Sequence, residues 1–107
     1  MKGYQITFFT QQDRMHHGKP LGQWILLMAR EIGLPGATMV SGSEGYGHQG
    51  PIHSAHFFEL ADQPQEIQIA ASEAQTVKLF DRLKAENVKV FYVKTLVEFG
   101  VLGDEES

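Results

Sequence analysis

The sequence predicts an α+β domain with the element order β-α-β-β-α-β. Two stretches carry apolar residues at helical spacing, four carry the alternation or short apolar runs of strands, and glycine, proline and a capping sequence separate them. Tyr4 to Thr10 reads as the first strand, with Tyr4, Ile6 and Phe8 alternating with Gln5 and Thr7 while Phe9 interrupts the polar face. Gln11 to Gly18 is a polar loop. Pro20 suits the first turn of a helix, and Leu21, Trp24, Ile25, Met28 and Ile32 follow on one helical face. Gly33 and Pro35 end that helix. Gly36 to Val40 opens the second strand, and Gly42, Gly45, Gly47 and Gly50 break it into a loop expected to be mobile.

Ile52 to Leu60 reads as a third strand, bent near Asp62-Gln63-Pro64 and resuming from Glu66 to Ala71. Ser72-Glu73-Ala74-Gln75 is a capping box, in which the Ser72 and Gln75 side chains satisfy free backbone donors at a helix start. Val77, Phe80 and Leu83 are expected to form the buried stripe of this second helix. Val88 to Val93 is the last clear strand, with Val97 to Leu102 left as a short extra strand or helix. Right-handed split β-α-β connections then give the ferredoxin-like arrangement, two helices on one face of an antiparallel sheet.

The chain of 107 residues has the size of one domain, so residues 1–107 are expected to form a single unit, with the acidic tail 104–107 disordered. A hydrophobic fraction of 42% and a charged fraction of 21% are ordinary for a globular protein. A core of this size is small, and oligomerisation would help to stabilise it. The absence of cysteine excludes a disulfide scaffold, a thiolate metal site and a thiol nucleophile. No charged-then-apolar leader opens the chain, and no apolar run approaches the roughly 20 residues that span a bilayer, so the cytoplasm is the expected compartment. A net charge of −4 argues against sequence-independent nucleic-acid binding, which needs cations on phosphates. No Lys or Arg occurs between Glu31 and Val77.

The predicted topology has a consequence for function. The ends of strands one and two and the starts of strands three and four lie at one edge of the sheet. Gln11–Gly18, Gly42–His53 and the turn at Glu86–Asn87 are therefore expected to converge, and loops held by a rigid scaffold are where binding residues concentrate. Arg14, His16, His17 and Lys19 come to this edge from the first loop, and the free N–H groups of the first helix add a positive end.

Four stretches in order carry a resemblance: Gly18-Lys19-Pro20-Leu21, Gly36-Ala37-Thr38, Gly42-Ser43-Glu44-Gly45-Tyr46-Gly47, and Ile52-His53. On these the chain resembles the PII-like proteins of the domain-of-unknown-function family 190, and through them the PII signalling proteins. The resemblance implies a ferredoxin-like homotrimer that senses nucleotides or small metabolites at subunit clefts. It also implies a long loop, here Glu44 to His53, that docks on a partner protein. Some relatives accompany fluoride-channel proteins, which makes a membrane transport or channel protein a conceivable partner. The convergence of the loops at one sheet edge puts the candidate ligand site at Arg14, His16, His17, Lys19, Gly42, Glu44, Gly45, Tyr46, Gly47 and His53, and the resemblance makes an adenine nucleotide or small anion the candidate ligand. PII proteins cradle phosphates in a Gly- and Lys-rich turn before the last strand. Here that turn is Ala85-Glu86-Asn87-Val88, without glycine. Phosphate contacts would then come from Lys19, Arg14, the backbone of the glycine loop or a neighbouring subunit.

The five histidines, His16, His17, His48, His53 and His56, invite a metal reading. Adjacent residues on an extended chain point to opposite faces, as do residues three apart, so His53 and His56 on a regular strand cannot share one ion within a subunit. A zinc site wants three or four converging ligands, and spacing alone assigns none. A histidine near Asp13 could act as a general base, but no Ser-His-Asp or paired-carboxylate set accompanies it. No catalytic residue is assigned. Trp24, on the apolar helix stripe, is expected to pack in the core. Tyr46 is a candidate partner anchor or base-stacking surface. Phe57 and Phe58 point to opposite sheet faces, and an exposed aromatic on the outer face would favour a subunit interface. The expectation is a regulator and not an enzyme. Two alternatives stay open, a small dimeric ferredoxin-like enzyme using a loop histidine and a CutA-like metal-binding trimer.

Overall fold

The computed structural model describes residues 1–41, 44–45, 53–54 and 64–103. Its main sheet holds β1 (Lys2–Gln11), β4 (Ala37–Ser41), β7 (Pro64–Ser72) and β8 (Phe91–Glu98) in the order β4-β7-β1-β8, every pair antiparallel. Two helices, α1 (Leu21–Glu31) and α2 (Glu73–Ala85), pack on one face. This is the ferredoxin-like arrangement that the element order predicts. Four two-residue strands complete the description: β2 (Met15–His16) with β3 (Lys19–Pro20), and β5 (Glu44–Gly45) with β6 (His53–Ser54). Among the described residues no helix is long and apolar enough to cross a membrane.

The core follows from the two periodicities. On β1, Ile6 and Phe8 point toward the helices; opposite them on β7, Ile67, Ile69 and Ala71 do the same. From above, α1 supplies Leu21, Ile25, Met28 and Ala29, and α2 supplies Leu79 and Leu83. Pro20 takes the N-cap position of α1 rather than its first turn, with extended backbone that leads the chain into the helix. Trp24 packs against this core, as expected.

Both helices end in Schellman motifs, in which a left-handed residue lets its own N–H and the next one close the last carbonyls. In α1 the left-handed residue is Gly33, and Gly33 N and Leu34 N donate to the Arg30 and Ala29 carbonyls. In α2 it is Asn87 (φ 57°), and Asn87 N and Val88 N donate to the Lys84 and Leu83 carbonyls. Asparagine tolerates this backbone better than most residues, so the turn does without glycine. At the start of α2 the capping box forms as its sequence predicts: Gln75 N donates to Ser72 Oγ (3.2 Å) and Ser72 N donates to Gln75 Oε1 (2.8 Å).

Several elements differ from the sequence reading. The last strand is Phe91–Glu98 and not Val88–Val93, because Val88 is spent closing α2 and the ladder with β1 begins only at Phe9↔Phe91. Val97 belongs to this strand and not to a further element. The buried stripe of α2 is Thr76, Leu79 and Leu83, while Val77 is exposed. The cap at Ser72 sets the helix phase, and the Thr76 hydroxyl donates to the Ser72 carbonyl (2.8 Å), which lets a polar residue lie inside. The third strand of the sheet is Pro64–Ser72. Of the strand expected over Ile52–Leu60, His53–Ser54 pairs with Glu44–Gly45 in a separate ladder, and the remainder lies outside the described residues. So do most of the Gly42–Gly50 loop, with Tyr46 and His48, as well as His56, Phe57, Phe58 and the tail 104–107.

At Gly3 the backbone of β7 stands directly against β1. A Cβ there would collide with the Ala71 carbonyl, a backbone atom that cannot rotate away. Gly3→Ala is expected to destabilise the fold by about 1–3 kcal/mol, as overpacking does. At about 4–8 °C per kcal/mol for a domain of this size, thermal unfolding followed by circular dichroism would resolve it. An unchanged midpoint would show that the β1–β7 ladder gives way easily.

Candidate functional site

The ladder registers place Gln11 opposite Pro64, Ser41 opposite Gln65 and Phe9 opposite Phe91. The ends of β1 and β4 and the starts of β7 and β8 therefore meet at one edge of the sheet. The loop after β1 is a tight hairpin at this edge. Met15 pairs with Pro20 and His16 with Lys19, leaving His17 and Gly18 as a two-residue turn. Both have positive φ, 53° and 77°, which is the type I′ geometry that suits the twist of a hairpin. Arg14 N closes onto the Gln11 carbonyl, and Leu21 N donates to the Arg14 carbonyl, so the hairpin is pinned between β1 and α1.

This turn has a chemical result. On a regular strand His16 and His17 would face opposite ways. The left-handed backbone at His17 turns both rings toward the end of α2, where Glu86 sits in the C-cap position. His17 Nε2 lies 2.8 Å and His16 Nε2 3.4 Å from the same oxygen, Glu86 Oε1. The rings meet edge-on at 4.3 Å, and His16 also stands edge-on to Trp24 at 4.4 Å. Trp24 is thus both core packing and the wall behind His16. The hydrogen bonds from His17 and then His16 hold the Glu86 carboxyl below the usual carboxylate range, against the opposing effect of desolvation. Arg14 donates to the Lys89 carbonyl just beyond this turn. The expected meeting of the first loop with the Glu86–Asn87 turn is therefore observed.

Lys19 faces a different neighbourhood. It lines a cavity of about 430 Å³ with Trp24, Arg30, Glu31 and Arg82, among others. Arg82 is paired with Glu31 at 3.0 Å. Arg30 and Arg82 are cations near Lys19 that the sequence reading did not place. A larger cavity of about 1010 Å³ lies at the other end of the sheet, between its outer face and the segment after β8. It is lined by Gln5, Thr38, Gln68, Gln75 and Leu102, with no charged side chain among its lining residues.

Of the ten residues expected at the ligand site, the structure brings Arg14, His16 and His17 together and puts Lys19 on the neighbouring cavity. Glu44, Gly45 and His53 are placed as backbone in the β5–β6 ladder, Gly45 directly opposite His53. Gly42, Tyr46 and Gly47 lie outside the described residues. Glu86 is the residue that sequence reasoning named only as part of a turn. Its signal was an acid at a helix C-terminus, where the helix dipole disfavours negative charge, which implies a compensating partner.

The fold defines a class. A PII-like signaling protein of Thermus thermophilus superposes with a TM-score of 0.62 at 12% identity, over 90% of this chain and 85% of that one. CPII of Thiomonas intermedia K12, a nitrogen regulatory PII-like protein solved with ADP, AMP and bicarbonate, gives 0.58 at 20% identity, over 91% and 89%. The chain therefore has the PII-like form of the ferredoxin-like fold. Its family is also defined: residues 3–97 match the model of domain-of-unknown-function family 190, described as "Uncharacterized ACR", and the chain belongs to that family. A UPF0166 protein of Aquifex aeolicus (strain VF5) is 29% identical over 97 residues, covering 82% of this chain and 92% of its own length.

The lowered carboxyl of Glu86 has a consequence for stability. A group whose pKa is lower folded than unfolded contributes stability that is present above the unfolded value and is lost as pH falls through the folded one. Glu86→Gln is expected to remove that contribution, so its urea midpoint should lie below wild type at neutral pH and converge on it in acid. A constant gap across the pH range would mean that the two histidines do not hold the carboxyl.

Proposed function

We propose that this chain is a PII-like regulator, not an enzyme, which acts in the cytoplasm as a homotrimer. It senses a small anionic or nucleotide-type ligand at clefts between subunits and acts on a partner through the segment 44–53. The observation that carries the reading is the convergence of Arg14, His16, His17 and the Glu86 turn at one sheet edge, beside a cavity bearing Lys19, Arg30 and Arg82. Cations and imidazoles grouped at a cavity suit a phosphate or carboxylate ligand. The larger cavity, with no charged side chain in its lining, does not. Family membership supports the reading, as do the ADP, AMP and bicarbonate bound by the structurally similar CPII.

The trimer is supported by the outer face of the sheet. Phe9 and Phe91 meet there with tilted rings 5.6 Å apart, and Phe91, Val93 and Val40 are exposed. Apolar side chains on an otherwise polar sheet favour a partner surface. Light scattering coupled to size exclusion is expected to return a trimer mass; a monomer or dimer at micromolar concentration would count against the assembly.

The ligand is sought by a thermal-shift screen with ADP, AMP, ATP, phosphate and bicarbonate, since a molecule that binds only the folded state raises its melting temperature. Arg14→Ala and Lys19→Ala are then expected to weaken the compound found by roughly ten- to a hundredfold, the usual cost of one charge-assisted contact. Lys78→Ala, on the exposed side of α2, is the control. Wild-type affinity in both loop variants would place the ligand elsewhere.

A further inference from the structure

We propose that His16, His17 and Glu86 form a binding site for a divalent first-row transition metal ion of the zinc type, held by three donors of a single chain. Their ligand-capable atoms all lie within 4.8 Å of one another, and no other such group of three His, Cys, Asp or Glu occurs among the described residues. In a tetrahedral zinc shell with bonds of about 2.0–2.1 Å, neighbouring donors stand roughly 3.3 Å apart. The two nitrogen–oxygen separations, 3.4 and 2.8 Å, fall around that value, and since all the donors lie within 4.8 Å of one another, an ion would need the most separated pair to draw together by at most about 1.5 Å.

Each donor is held by a separate device. His16 is half-buried against Trp24, His17 rides on the left-handed turn with Gly18, and Glu86 is fixed by the Schellman closure through Asn87 and Val88. The three come from two loops far apart in the chain. A site whose donors are already positioned loses little freedom when the ion arrives, and such preorganisation favours tight binding. Two imidazole nitrogens and one carboxylate oxygen suit zinc, and on affinity alone copper or nickel as well. Magnesium and calcium, which want oxygen ligands, fit poorly. Three protein donors would leave a fourth position for water or an exogenous anion. Glu86 would supply the anionic donor, and each histidine a neutral imidazole whose Nε2 lone pair goes to the ion.

The alternative is that the cluster is only a hydrogen-bonded tie between the hairpin and α2. A metal titration separates the two, and it does not depend on the regulator reading, because all three donors belong to one subunit and no nucleotide is needed. The full chain is stripped with a chelator and titrated with zinc chloride by calorimetry, and in parallel with cobalt(II), whose visible absorption reports donor number and geometry. Wild type should take up one ion per chain and give the intense cobalt bands of a four- or five-coordinate site. Loss of a hydrogen bond that merely supports a metal ligand costs roughly 10–100-fold in affinity, so removal of a donor should cost at least as much. Glu86→Gln keeps an acceptor of the same shape. His17→Asn removes the imidazole but still accepts the left-handed backbone. Both should lose the ion while retaining the wild-type circular dichroism spectrum. A His48→Ala, His53→Ala, His56→Ala triple variant should keep it. The proposal is overturned if wild type takes up no ion, if the two donor variants bind as wild type does, or if the triple variant alone loses binding. The nucleotide screen, run on the stripped protein, succeeds or fails independently.

Discussion

Everything in this structure depends on the antiparallel register between β1 and β7. Nine consecutive pairs, from Gly3↔Ser72 to Gln11↔Pro64, lock the two central strands. Side chains alternate with a period of two, so a slip of one residue would turn Ile67, Ile69 and Ala71 from the helices to the outer face. The hydrophobic effect acts on that choice through every one of those residues at once, and burial of each large side chain is worth about 1.5–3 kcal/mol. Gly3 sharpens the constraint, since only glycine lets the strands approach where Ala71 offers its carbonyl.

From that register the functional edge follows. It sets where β1 ends, and so where the His17–Gly18 hairpin begins; through β8 it also sets where the chain must leave α2. The Schellman closure at Asn87 then places Glu86 within reach of two imidazoles. Two left-handed residues, His17 and Asn87, aim the site, and neither is a glycine. A side chain at such a position has to tolerate the conformation, which His and Asn do better than β-branched residues.

The two ends of the sheet differ in chemistry. One carries Arg14, His16, His17 and Lys19 with Glu86 among them; the other is a groove without a charged side chain in its lining. Along the edge strand β8, α2 lies over β1 and β7 and leaves Tyr92 and Leu96 partly uncovered on the helix side. Lys94 covers part of this margin, its ammonium 4.6 Å from the centre of the Tyr4 ring and 5.6 Å from that of Phe80. A charged stem lying over aromatic faces shields apolar surface while the ammonium stays near water, and a lysine on an edge strand also discourages unwanted strand addition.

The sequence by itself determined the fold class, because its signals are local: apolar period, the Ser72 capping box, Gly33 and Pro35 after α1. It also determined that the first loop and the Glu86–Asn87 turn would meet, since that follows from element order alone. It misplaced the last strand by several residues, because Val88 and Val90 alternate with Lys89 as a strand does, and only the closure of α2 decides that Val88 belongs to a cap. It misread Val77 as buried, because the phase of a helix depends on the cap and on the sheet beneath it. The His16–His17–Glu86 cluster was decided only in three dimensions. Adjacent histidines read as opposed on an extended chain, and a type I′ turn reverses that; their carboxylate partner stands far along the chain, brought near by strand pairing and helix capping together.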